Sequence, residues 1–195
     1  EQSPELATRV VILDQDPGED YDEGLSFTAE LAYQPLIGPA IQRLTDIAPD
    51  SAVRDQFEIG FAPGFNIASG FENPDQVVDD LREMTYTAFV DIADAEDSYT
   101  EARTLDDRLS AIEVPLLVIF GTEDQIYDAE AAIEPYEDIA GVRTELLEGI
   151  GHSPNVEAPE QTAALIEAFI VKTEAAQRAA RRAAALAEPT LPDAR

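Results

Sequence analysis

A continuous apolar run, Pro115–Phe120, lies in the second half of the chain and leads directly into the loop Gly121-Thr122-Glu123-Asp124. A run of this length and composition predicts a strand that is buried on both faces, as in parallel sheets. A helical pattern at 129–139, a strand-like run at Arg143–Leu147 and a helix from Pro159 follow it. Because strands and helices alternate, we predict an α/β fold with parallel strands.

A third strand is predicted near the amino terminus, and a long helical segment separates it from the other two. The run Arg9–Asp14 is rich in β-branched residues, which favours a buried parallel strand. From Glu19 to about Ser110 the pattern is helical, with proline and glycine interruptions. The clearest helix there is predicted to begin with Asn73 as its cap. The face that this helix would bury consists of Val77, Val78, Leu81 and Met84. We expect Thr104 to cap a second, short helix.

The only histidine in the 195 residues, His152, lies on a glycine-flanked loop after the predicted strand Arg143–Leu147. Imidazole is the side chain best suited to proton transfer near neutral pH. Asp124 follows the preceding strand, and ligands bind at the carboxyl ends of strands in open α/β sheets. Asp124 and His152 are therefore candidates for a catalytic pair, although Asp14 or Asp16, after the first strand, could supply the acid instead.

The chain is strongly acidic, with 41 acidic and 12 basic residues and a net charge of −29. This excess argues against nucleic acid and anionic membranes as partners. Because 45% of the residues are apolar, the chain can still build a core. We interpret the charge as a solvated acidic surface suited to a saline environment, with capture of a cationic partner as the alternative.

Cysteine is absent, which excludes disulfides, thiolate nucleophiles and zinc–thiolate sites. No stretch reaches the roughly 20 consecutive apolar residues that a membrane-spanning helix needs, so we expect a soluble protein without a membrane span. The compartment stays open, with the cytoplasm favoured.

Three segments together resemble the carboxyl-terminal part of an α/β-hydrolase. They are Val10–Pro17, Val114–Asp124 and Gly151–Glu160. The resemblance covers about residues 5–171, and it implies that residues 18–110 form the helical lid of that family. It also implies that Asp124 is the acid and His152 the base of a catalytic triad, since the family's chain order is nucleophile, acid, histidine. The reaction so implied uses no metal and no organic cofactor.

The family's nucleophile elbow, Gly-x-Ser-x-Gly, should precede the strand at Val10, together with a loop that supplies an oxyanion-hole amide. Neither is found. Ser69 lacks the first glycine of the motif and follows no apolar strand, so we interpret it as a loop hydroxyl. Ser153, next to His152, is interpreted as a turn residue. We therefore expect the amino-terminal half of the fold to lie outside this sequence and the chain alone to be inactive.

The resemblance implies hydrolysis of a small, largely apolar ester, lactone or amide, with His152 acting on a nucleophile outside the chain. Two alternatives remain open. One is an aspartate nucleophile, as in epoxide hydrolases and dehalogenases of the superfamily, and the other is a hydrolase-like binding protein without catalysis. The residues that could line a pocket for the small-molecule substrate are Tyr127, Phe57, Phe61, Phe65 and Phe71.

Beyond Val171 the composition shifts to alanine and arginine. Residues 172–195 hold five basic and three acidic residues, so this segment carries +2 while residues 1–171 carry −31. We predict a partly solvated helical tail, with a partner-binding helix as the alternative.

Overall fold

The structure is a computed structural model that describes residues 6–18, 21, 32–71 and 73–187. The chain divides into two compact units, residues 1–159 and residues 160–195. The first unit contains a parallel sheet and a series of helices, and the second consists largely of one long helix.

The sheet has three strands, β1 (Val10–Leu13), β2 (Leu116–Gly121) and β3 (Arg143–Leu147), in the order β1-β2-β3. Both pairings are parallel, with Val10 opposite Leu116 and Leu117 opposite Arg143. The predicted α/β class with parallel strands is confirmed. All three carboxyl ends therefore reach the same edge of the sheet.

Burial differs between the strands according to their neighbours. Every residue of the central strand β2 is buried, as its continuous apolar run predicts. The residues of β1 are only half-buried, whereas a buried strand was predicted. The reason lies in the pairing, because β1 contacts β2 on one edge and no strand among the described residues covers the other.

Among the described residues, helices make up most of the long connection between β1 and β2. They are α1 (Gly38–Thr45), α2 (Asp50–Arg54), a 3₁₀ helix (Asp55–Gly60), α3 (Ile67–Gly70), α4 (Pro74–Glu83), α5 (Tyr86–Ala102) and α6 (Leu105–Ser110). Residues 19–20, 22–31 and 72 of the predicted lid lie outside the described residues. We call this connection the helical insertion.

The predicted cap positions are confirmed: Asn73 is the N-cap residue of α4 and Thr104 is that of α6, although neither side chain makes a capping hydrogen bond. One detail of the first of these helices is wrong. Met84 is not on the buried face of α4, because the helix ends at Glu83 and Met84 has extended backbone angles. Helix α4 ends at Glu83 because the next helix begins nearby. Thr85 accepts a hydrogen bond from the N–H of Ala88 and caps α5, so the residues before Thr85 cannot continue α4.

The core of the first unit forms where alternate side chains of β2 pack against α7 (Ala129–Glu137). It includes Leu116, Val118, Phe120, Ala132, Ile133 and Tyr136. The Tyr136 hydroxyl donates a 2.8 Å hydrogen bond to the carbonyl of Gln15, which ties α7 to the segment after β1. Burial also raises the pKa of the Tyr136 hydroxyl above its ordinary value.

Two helices follow β3, the short α8 (Pro154–Glu157) and the long α9 (Pro159–Ala187). Helix α9 continues without a break across 171–172, where the composition changes. Its last described residue is Ala187, so residues 188–195 of the predicted tail lie outside the described part. Within the described ranges, no helix combines the length and the apolar character needed to cross a membrane.

Candidate active site

Asp124 and His152 lie together at the carboxyl ends of β2 and β3. Asp124 Oδ2 is 2.9 Å from His152 Nδ1, although 28 residues separate the two in sequence. The Asp124 side chain is fully buried, whereas 26% of the His152 side chain is exposed. The acid is thus shielded from solvent behind an imidazole that reaches the surface.

The second oxygen of Asp124 fixes the orientation of its carboxylate. Asp124 Oδ1 accepts hydrogen bonds from the N–H of Ile126 at 2.7 Å and of Tyr127 at 3.2 Å. An ionised carboxylate only accepts hydrogen bonds, so a neutral His152 must carry its proton on Nδ1 to donate to it. Its Nε2 is then the basic nitrogen.

The loops that bear the pair are tied to each other by their backbones. The N–H of Glu123 donates to the Ile150 carbonyl at 2.8 Å. A Cβ on Gly121 would lie only 2.2 Å from that carbonyl oxygen, so only glycine allows this close approach. The N–H of Gly149 donates to the Thr122 hydroxyl at 2.9 Å. These contacts hold the two loops at a fixed spacing.

Tyr127 borders the imidazole. Its ring centroid is 5.3 Å from that of His152, with the planes at 64°, an edge-to-face contact. The carboxylate of the neighbouring Asp128 accepts a hydrogen bond from the N–H of Ala131 and thereby caps α7.

Asp14 and Asp16, the other candidate acids, are buried at the carboxyl end of β1. Asp14 Oδ1 accepts a 2.7 Å hydrogen bond from the N–H of Gly121, and Asp16 Oδ1 accepts from the Gln15 side chain. The carboxylate that contacts the His152 ring at hydrogen-bond distance is therefore that of Asp124.

The environment of Asp14 makes it unusual. Burial raises its pKa to about 7, against the opposing effect of the Gly121 N–H; the negative charges of Asp124 and Glu157 add to the rise, and His152 counters it. Its Oδ2 is buried without a hydrogen-bond partner among the described residues.

Glu157 is a residue of this site that sequence reasoning missed. Its carboxylate accepts hydrogen bonds from the N–H groups of Gly151 and Ser153, the two neighbours of His152, at 3.1 and 3.2 Å. It also accepts a 2.8 Å hydrogen bond from the N–H of Ala62 in the helical insertion. The only available signal was an acidic residue in the short helix that follows the histidine loop.

Part of the helical insertion reaches the histidine loop through its backbone. A Cβ on Gly151 would lie 2.0 Å from Ala62 N, so the two chain segments are in direct contact. At this point Phe61 stacks on Phe65 with ring centroids 4.8 Å apart and meets the edge of Phe71 at 5.7 Å. We call these three residues the ring cluster. Of the predicted pocket aromatics, Phe57 and Tyr127 do not belong to it.

The two serines considered above do not have the geometry of an elbow nucleophile. Ser69 is exposed in α3, and its hydroxyl donates to the Asn66 carbonyl at 3.3 Å. Ser153 precedes α8, and its N–H binds Glu157. Within the described ranges, no group of three or more His, Asp or Glu side chains is arranged to hold a metal ion.

Sequence comparison finds similarity to monoacylglycerol lipases. The human monoacylglycerol lipase ABHD6 is 35% identical over 82 residues, which are 42% of this chain and 23% of that protein. Its mouse counterpart is 27% identical over 146 residues, covering 68% of this chain and 42% of that protein. The chain therefore spans less than half the length of these relatives. No family model matches the chain.

Solved structures with the same fold include esterases. A candidate aryl esterase from Burkholderia cenocepacia aligns with a TM-score of 0.61 at 17% identity, over 86% of this chain and 56% of that one. The chain has the fold of the α/β-hydrolases. Among solved α/β-hydrolases, carboxylesterase CesB from Bacillus subtilis has a TM-score of 0.57 at 14% identity, over 87% of this chain and 53% of that one.

Two surface cavities, of about 500 and 320 Å³, lie away from the pair. Residues of α6 and α7 line the larger one, and residues after β1 together with α5 and α6 line the smaller one. Neither includes Asp124 or His152 in its wall, so neither identifies where a substrate would meet the imidazole.

Proposed function

We propose that the chain supplies the acid and the base of an ester hydrolase, with Asp124 as the acid and His152 as the base. The observation that carries the proposal is the 2.9 Å contact between Asp124 Oδ2 and His152 Nδ1 at the ends of adjacent parallel strands. A buried acid behind a partly exposed imidazole has the arrangement that a general base requires.

In the proposed reaction, His152 Nε2 removes the proton of a serine hydroxyl as its oxygen attacks the substrate carbonyl carbon. The imidazolium, which Asp124 stabilises, then returns the proton to the leaving alcohol as the ester bond breaks. An acyl-enzyme remains. His152 next takes a proton from water, the resulting hydroxide attacks the acyl carbon, and the acid product leaves with the serine restored.

The nucleophile of this reaction is proposed to lie outside residues 1–195. In α/β-hydrolases it precedes the acid and the histidine in the chain. Ser69, which follows β1 and sits exposed in α3, is not on the strand-to-helix turn that an elbow nucleophile needs. The coverage of 56% of the Burkholderia structure supports the same proposal.

The proposed substrates are small, neutral esters, lactones or amides. The relatives described as lipases and esterases favour ester bonds. The net charge of −29 disfavours anionic substrates, because the field of the protein lowers their local concentration. The ring cluster beside the histidine loop favours an apolar acyl group.

The test is ester hydrolysis by the full-length protein, measured with nitrophenyl esters of increasing acyl length. We expect turnover in the wild type and a loss of at least about 10⁴-fold in His152→Ala with folding intact. Glu148→Gln is the matched control, since this exposed acid lies on the same loop and should leave kcat unchanged.

Three outcomes would contradict the proposal. Full turnover by His152→Ala would exclude the imidazole as the base. Turnover of epoxides or haloalkanes but not of esters, with a trapped ester on an aspartate, would assign an aspartate nucleophile instead. Ligand binding without turnover of any of these would assign a binding protein.

A further inference from the structure

One peptide group of the helical insertion, that between Phe61 and Ala62, is held from both sides. Its carbonyl oxygen accepts a 2.7 Å hydrogen bond from Gln125 Nε2, and its N–H donates a 2.8 Å hydrogen bond to Glu157 Oε2. The oxygen and the N–H of a trans peptide group point in opposite directions, so Gln125 and Glu157 bind the group from opposite sides. We call Gln125 and Glu157 the clamp.

The clamp residues come from the two loops that bear the candidate catalytic pair. Gln125 directly follows Asp124 and also donates to the Glu58 carbonyl at 3.1 Å. Glu157 follows His152 by five residues and binds the N–H groups on both sides of it. Each residue therefore joins the same point of the helical insertion to one member of the pair.

The contacts of Glu157 are of the stronger kind. A carboxylate that accepts from several backbone N–H groups makes charge-assisted hydrogen bonds, and losing it would leave three partly buried donors without their acceptor. These donors lie on two segments that already touch at Gly151 and Ala62. Glu157 thus fixes the position of the segment and of the histidine loop together.

We propose that Gln125 and Glu157 are positioning residues, which clamp the Phe61–Ala62 peptide group so that the helical insertion and the His152 loop hold one fixed geometry. The ring cluster begins at this peptide group, so the clamp also sets where its aromatic rings stand beside the loop. Any effect of the clamp on catalysis rests on the proposed function, whereas the clamp itself does not.

The direct test is amide hydrogen exchange followed by NMR in the full-length protein. Gln125→Met removes the donor to the Phe61 carbonyl and leaves the Glu157 contact to Ala62 in place. If the two side chains act as one clamp, exchange at the Ala62 amide should rise by about tenfold even though its own partner is untouched. Gln42→Met is the matched control, since it removes a similar side-chain bond, to the Met84 carbonyl, elsewhere in the insertion.

Glu157→Gln gives the second measurement. The variant keeps the shape of the side chain but turns an amide NH2 group toward some of the three N–H donors and leaves the others an uncharged acceptor. Exchange should therefore rise at Ala62, Gly151 and Ser153 together. The His152 ring signal, assigned as the one missing in His152→Gln, should shift or broaden. Exchange at the β2 amides reports whether the fold is intact, and Gln125→Met alone decides if Glu157→Gln does not fold.

The expected kinetic effect is a lower kcat with an altered preference for acyl length, because a looser insertion changes the geometry beside the imidazole. Ala62 exchange within twofold of the wild type in Gln125→Met would overturn the clamp, whatever the activity. If exchange rises as expected but the wild-type protein hydrolyses no ester, the clamp stands and the proposed function fails.

Discussion

Asp14 Oδ1 accepts a 2.7 Å hydrogen bond from the Gly121 N–H, and this bond joins the carboxyl ends of β1 and β2. The backbone of Asp14 has φ of 41°, in the left-handed region that aspartate and asparagine tolerate better than most residues. The carboxyl is buried beside Asp124 and Glu157, and burial raises its pKa to about 7. Proton binding at Asp14 is therefore linked to folding.

Asp14→Asn should stabilise the protein at pH 8 relative to the wild type more than at pH 5. With its pKa raised from 3.8 to about 7, the folded wild type binds the proton more tightly than the unfolded chain. The proton therefore contributes to the free energy of unfolding in full below pH 3.8, and this contribution is lost as the pH rises through about 7. Its size is a few kcal/mol at most. Asparagine keeps an acceptor for Gly121 and does not titrate.

The measurement is the free energy of unfolding in urea at both pH values. Asp79→Asn, at an exposed position of α4, is the control and should show no pH-dependent difference from the wild type. An equal effect of Asp14→Asn at pH 5 and pH 8 would contradict the linkage.

Gly151→Ala should destabilise the protein by roughly 1–3 kcal/mol and lower its activity, because the new methyl group collides with backbone rather than with a movable side chain. The clash is with Ala62 N at 2.0 Å and Phe61 C at 2.2 Å, so the histidine loop and the insertion must move apart. Thermal unfolding and ester turnover report the two effects. Gly60→Ala is the control, since nothing lies within 4 Å of its Cβ position.

Added KCl should raise the melting temperature. The net charge of −29 produces self-repulsion in the compact state, and salt screens it by shortening the Debye length from about 10 Å at 0.1 M to about 3 Å at 1 M. Calorimetry across this range measures the shift. A flat melting temperature would contradict the interpretation of the acidic surface as adapted to salt.

The strands and the positions of Asp124 and His152 could be predicted because they depend on local patterns and one topological rule. The apolar run of β2 predicts a strand buried on both faces, and parallel strands bring the residues after their carboxyl ends to one edge. The half-burial of β1 could not be predicted, since it depends on which neighbours cover its edge.

Gln125 and Glu157 escaped sequence reasoning for a different reason. Their partners are backbone groups of Phe61 and Ala62, 64 and 95 residues away in the chain. Every residue except proline carries the same backbone donor and acceptor, so the sequence does not show which backbone groups these two side chains bind. Which of the candidate acids Asp124, Asp14 and Asp16 lies at hydrogen-bond distance from His152 Nδ1 likewise could not be read from the sequence.

If Asp124 makes His152 a base through Nε2, a neutral imidazole carries its proton on Nδ1, so the decisive measurement is the position of that proton. In ¹⁵N-labelled full-length protein, couplings between the ring nitrogens and carbons locate that proton when the ring is neutral. Replacing Asp124 by Asn should invert the tautomer. Oδ1 must still accept from the Ile126 N–H, so the amino group of the Asn takes the place of Oδ2 and donates to Nδ1.

We expect the proton on Nδ1 in the wild type and on Nε2 in Asp124→Asn, with a fall in kcat of about 10⁴-fold in that variant. Asp128→Asn, which keeps its capping role on α7, should leave the tautomer as in the wild type. A wild-type ring with its proton on Nε2, or an Asp124→Asn ring that keeps it on Nδ1, would rule out Asp124 as the residue that makes Nε2 basic.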